Sequence, residues 1–128
     1  MLNKNRRETA SYFATDGIIS KRNSFGIKFN GYRSPYDYKF AKYLEEIDVK
    51  FYYEKEGIEV KDEIDTKLHY IPDFYIPSKD LYIEIVNQMT PTLRHKILWF
   101  QEQYPQKKLI LITKTEVRDF FRGKKDLF

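Results

Sequence analysis

Cysteine is absent from all 128 residues, which excludes disulfide staples, thiolate zinc sites and cysteine nucleophiles and suits a reducing compartment. Histidine occurs only twice, so no histidine cluster argues for zinc. No apolar run approaches the roughly 20 residues that span a bilayer, and the opening MLNKNRRETA lacks the apolar stretch of a signal peptide. A soluble, cytoplasmic protein without a membrane partner is therefore expected. Internal repeats and low-complexity segments are missing as well. What is abundant is aromatic: 17% of the residues are Phe, Tyr or Trp, within 41% hydrophobic residues overall. A chain this rich in rings can bury a real core, and its length suits one domain.

The net charge of +4 is unevenly spread. Residues 1–33 carry seven Lys and Arg against two acids, residues 34–106 nine against fourteen, and residues 107–128 seven against three. Basic ends around an acidic middle suit a phosphate-binding surface framing a metal-binding centre, although solvation of the termini explains such charges equally well. The side chains expected to meet DNA phosphates are Arg6, Arg7, Lys21, Arg22, Arg33, Arg122, Lys124 and Lys125; such contacts give affinity with little sequence choice.

Ile27, Phe29 and Tyr32 alternate weakly and suggest a short strand. The first firm element opens at Ser34, a helix N-cap, with Pro35 at the first helical position and Asp37 completing S-x-x-D. Tyr36, Phe40, Tyr43, Leu44 and Ile47 then line one helical face. Residues 49–54 and 68–77 read as strands, with Pro72 and Pro77 demanding an edge or a bulge in the second. Charged residues 57–67 suit an edge or hairpin loop. Residues 81–86 form a strong strand, Thr90 and Pro91 start a helix reaching about Tyr104, and residues 108–113 read as a strand of the fully buried type. Residues 116–121 suit a last short helix. The order helix-strand-strand-strand-helix-strand predicts an α/β fold, a mixed β-sheet core flanked by helices.

Asp73 and Glu84 are the informative residues. Alone, an Asp after Pro is a common turn residue and a strand Glu commonly faces solvent. Together, on strands joined by the turn Ser78-Lys79-Asp80, they can emerge on one face of the sheet. Two carboxylates in apolar strands are costly without a cation, and hard oxygen ligands suit Mg²⁺ or Mn²⁺. Such an ion can activate water and stabilise charge on a phosphodiester. Glu54 reads as solvated, His69 as structural, and the tyrosines mostly as strand rings.

Three blocks carry a resemblance: GYRSPYDYKFAKYLEEIDVKFYYE at 31–54, YIPDFYIPSKDLYIEIV at 70–86 and RHKILWFQEQYPQKKLILIT at 94–113. In order and spacing they resemble the phage endonuclease I family of Holliday-junction resolvases, within the PD-(D/E)xK nuclease superfamily. The resemblance implies a restriction-endonuclease-like domain over 31–128 after a basic segment over 1–30. It also implies a homodimer cutting branched DNA, and a phage or mobile-element origin. Asp37 stands at the family's helix acid, Asp73 at the metal-binding aspartate after Pro72, and Glu84 at the first position of ExK. The third position departs, because Val86 stands where that lysine belongs and can neither orient water nor stabilise the phosphate. Lys96 on the next helix is the foremost replacement, with Arg94, His95, Gln88 and Asn87 as alternatives. The expected catalytic set is thus Asp37, Asp73, Glu84 and Lys96, with Asp73 and Glu84 on the metal. The alternatives are an inert DNA-binding or interaction module on a nuclease scaffold, or a nuclease subunit that needs a partner.

Overall fold

Ser34 accepts a hydrogen bond from the Asp37 amide and Pro35 opens helix α1, Pro35–Glu46, as the cap and the fixed proline φ dictate. In a computed structural model of the chain, which describes residues 30–128, this helix buries Phe40, Ala41, Tyr43 and Leu44. The chain then runs through β1 (Tyr52–Tyr53), β2 (Ile58–Lys61), β3 (Lys67–Tyr70) and β4 (Phe74–Ile76). A 3-10 turn over Pro77–Lys79 leads to β5 (Leu81–Val86), α2 (Pro91–Gln103), β6 (Lys108–Thr113) and α3 (Lys114–Phe121). The expected strand over Ile27 and Phe29 lies outside the described residues, as do Arg6, Arg7, Lys21 and Arg22.

The main sheet has the order β1-β4-β5-β6. Its first two pairings are antiparallel and β5–β6 is parallel, so α2 makes the crossover. Strands β2 and β3 form a separate antiparallel hairpin. Among the described residues the architecture is therefore mixed α/β: a mixed four-stranded sheet, a two-stranded sheet and three α-helices. Alternation along β5 divides two cores. Leu81, Ile83 and Ile85 join the cluster of Phe40, Leu44, Phe74, Val117 and Phe120 beneath α1 and α3. Tyr82 points the other way, into Ile58, Val60, Tyr70, Ile97 and Phe100 between the hairpin and α2.

Three expectations are corrected. The strand over 49–54 contributes only Tyr52 and Tyr53 to the ladder, because Glu54 leaves it with φ +49°. The strand over 68–77 splits in two. Pro72 has no N–H to donate, and across Ile71–Asp73 the chain passes from the hairpin to the main sheet. Strand β6 is the sheet's edge and not a buried strand: Leu111 stays 42% exposed, since α2 packs over the hairpin and Tyr82.

Candidate metal centre

The antiparallel register places three acids in one cross-strand row. Phe74 faces Ile83, so the next pair outward is Asp73 and Glu84. Tyr53 faces Phe74, and the Glu54 amide donates to the Asp73 carbonyl at 2.8 Å, bringing Glu54 beside Asp73. The row ends on Leu111, opposite Glu84 in β6. A fourth acid, Asp37, enters from the first turn of α1.

Each carboxylate has a donor. The Tyr53 hydroxyl donates to Asp37 Oδ2 at 2.6 Å and accepts from the Arg33 amide at 3.1 Å. The Ile85 amide donates to Asp73 Oδ2 at 2.7 Å. Tyr70 donates to Glu84 Oε1 at 2.7 Å, and Arg33 Nη1 to Glu54 Oε2 at 2.9 Å. Asp37, Glu54 and Glu84 are buried and Asp73 is half-buried. Asp37 thus caps with its backbone, while its carboxylate is spent on the site.

Burial and mutual repulsion raise Asp37, Asp73 and Glu84. Desolvation pushes the Asp37 carboxyl up to about 6, with the Glu54 charge adding to it and the Tyr53 and Ser34 hydroxyls opposing. Glu84 rises to about 7, chiefly by burial, with Tyr70 opposing and Asp37 adding. Asp73 rises well above the usual carboxylate range through burial and then the charges of Asp37 and Glu84. Tyr53 and Tyr70 rise too, by burial and by the anions they serve, so both stay protonated donors.

Val86 ends β5 half-buried, two residues beyond Glu84 on the same face. Lys96 lies half-buried on α2, and among the described residues no ion pair joins it to a carboxylate of the row. Arg94, His95, Asn87 and Gln88 are exposed, with His95 against Trp99. His69 is exposed on the hairpin strand β3, off the main sheet. Arg122, Lys124 and Lys125 are exposed beyond α3, and Lys125 Nζ lies 3.6 Å from Glu116. A separate open hollow of about 500 Å³, lined by Glu59, Asp62, Asp65 and Gln103, sits at the hairpin and touches none of the row.

Sequence reasoning missed Glu54, read as solvated and in fact 3% exposed. It also missed the tyrosine hydroxyls, which carry no signal separate from other strand rings.

The donor set is all oxygen, as a hard cation requires. Among the described residues no three His, Asp or Glu side chains converge as a ready-made metal cage. Asp73 and Glu84, opposite each other on paired strands, are the residues that could hold such a cation. Among the described residues no helix is long and apolar enough to cross a membrane. Comparison with protein-family models, curated proteins and solved structures finds no match.

Proposed function

We propose that this chain is a Mg²⁺- or Mn²⁺-dependent DNA endonuclease with a restriction-endonuclease-like fold, acting as a homodimer on branched or structured DNA. One observation carries the reading: Asp73 and Glu84 oppose each other on paired strands, with Asp37 beside them and no cation bonded to any of the three among the described residues. Such a group is costly until a cation joins it. The preference for branched DNA and the dimer rest on the family resemblance alone.

In this reading Asp73 and Glu84 hold the ion and Asp37 assists from α1. A bound divalent ion supplies an activated water and charge stabilisation at the phosphate. Tyr70 and the Ile85 amide each hold one oxygen of the two ligands and leave the other to meet the ion. Lys96 replaces the lysine that Val86 displaces. Helix α2 runs back along β5 and packs Phe100 on Tyr82. Lys96 sits about one helical turn (~5.4 Å) from Phe100. Glu84 sits two strand residues (~6.6 Å) from Tyr82, so the two come level. Arg6, Arg7, Lys21, Arg22, Arg33, Arg122, Lys124 and Lys125 supply phosphate contacts.

A second reading, a DNA-binding module that does not cut, is favoured by Val86 alone. The deciding experiment is cleavage of a labelled four-way junction and of linear duplex with Mg²⁺ or Mn²⁺, alongside calorimetric metal binding. The panel is the wild type, Asp73→Asn, Glu84→Gln and Lys96→Ala. Metal-dependent cutting lost in both acid variants supports the nuclease, and loss in Lys96→Ala locates the lysine. Junction binding and metal binding without cutting leave an incomplete subunit, and DNA binding without metal binding leaves the inert module.

A further inference from the structure

We propose that Arg33, aimed by Glu54, positions the DNA phosphate next to the acid row; this rests on the nuclease reading. The pair is asymmetric, with the Glu54 side chain 3% exposed and the Arg33 side chain 49% exposed. One end is thus fixed in the protein and the other is open to solvent. Nη1 serves Glu54 at 2.9 Å, and a planar guanidinium has further N–H groups that can grip a phosphate on another edge. A lysine ammonium would offer a point charge and no such fork.

The backbone around the pair is tied to the site. The Arg33 amide donates to the Tyr53 hydroxyl, which donates to Asp37, and the Glu54 amide donates to the Asp73 carbonyl. A phosphate gripped by Arg33 therefore stands in register with the acids. Glu54 also holds φ +49°. Among the described residues the other non-glycine residues in that region are Asn30, Asp48, Asp65 and Asp80, whose short polar side chains tolerate it. Glutamate is seldom found there, and backbone strain of this kind gathers at functional sites. Simple neutralisation of a buried acid explains the ion pair. It explains neither the strained turn nor a guanidinium left half in water beside the row.

The test is the salt dependence of four-way junction binding by the full chain, measured in Ca²⁺, together with cleavage kinetics in Mg²⁺. Wild type, Arg33→Gln, Arg33→Lys and Glu54→Gln are compared, each with its melting curve. Arg33→Gln should lower the slope of log K against log[salt] by roughly 0.9 for each subunit engaged, the loss of one phosphate contact. Arg33→Lys and Glu54→Gln both keep a cation at position 33 and should keep the slope, while kcat falls about tenfold because the fork is no longer aimed. A lower melting temperature with the wild-type slope in Arg33→Gln would make the pair merely structural and overturn the proposal. If Arg33→Gln does not fold, wild-type kcat in Arg33→Lys overturns it. A wild type that binds no DNA overturns the nuclease reading and this inference together, whereas cutting with an unchanged slope overturns this inference alone.

Discussion

Replacing Glu84 by glutamine in metal-free protein isolates the cost of its charge. The buried carboxyl holds its proton up to about 7 against an ordinary 4.5, and at 1.36 kcal/mol per pH unit that difference is worth ~3 kcal/mol. Because the folded chain keeps the proton that the unfolded chain has lost, stability falls as pH rises from about 4.5 to about 7 and stays low above it. Glutamine preserves the shape, and its amide oxygen can still accept from Tyr70. Glu84→Gln should thus be neutral near pH 4 and stabilising by ~3 kcal/mol at pH 8. Some of the push on Glu84 comes from Asp37 and Glu54, so relief also reaches its neighbours. For a domain of this length ~3 kcal/mol corresponds to roughly 10 °C in Tm. The assay is thermal and urea unfolding in EDTA from pH 4 to 8.5. Mg²⁺ or Mn²⁺ should then stabilise the wild type more at pH 8 than at pH 5, and Glu84→Gln little at either. Parallel stability curves for the two proteins, or a glutamine variant weaker at pH 8, would refute the reasoning.

Tyr70→Phe removes the hydroxyl that favours the ionised form of Glu84, so divalent-ion affinity by calorimetry should fall about tenfold. Val86→Lys puts an ammonium two residues along the strand from Glu84, on its face. It should stabilise the metal-free protein above pH 7 and raise junction-cleavage rates, both read against wild type. Phe74→Ala empties a site 1% exposed and walled by Phe40, Phe51 and Tyr53. It should cost about 3–5 kcal/mol in urea unfolding, more than Glu84→Gln can restore.

Local signals made the helices legible. Ser34-Pro35 and Thr90-Pro91 mark the starts of α1 and α2, because caps act within one turn. For α3 the box joining Thr113 and Glu116 sets the start at Lys114, two residues before the sequence reading, since the acid of a capping box lies inside the helix. Asp73 and Glu84 were legible because each breaks a pattern, one after proline and one inside an apolar strand. Glu54 was not, since the strand end that buries it and its partner Arg33, 21 residues away, come together only in the fold. Likewise Tyr53 and Tyr70 read as ordinary strand rings; their hydroxyls find carboxylates 16 and 14 residues off only after the chain folds. The edge position of β6 depends on strand order, which an apolar run cannot encode.

Val86 weakens the nuclease reading proposed above less than Asp37, Asp73 and Glu84 support it. A chain with no use for negative charge could place Asn and Gln at 37, 73 and 84, keep the same hydrogen-bonded shapes, and gain stability at neutral pH. Here every acid of the group instead has a donor fitted to it: Tyr53 for Asp37, the Ile85 amide for Asp73, Tyr70 for Glu84 and Arg33 for Glu54. Three of those donors are neutral, so they orient carboxylates without cancelling their charge. A site that needed only to be folded would be better served by cations in those places. Among the described residues, neutral donors orient Asp37, Asp73 and Glu84 and no ion pair joins them, which suits the cation site proposed above.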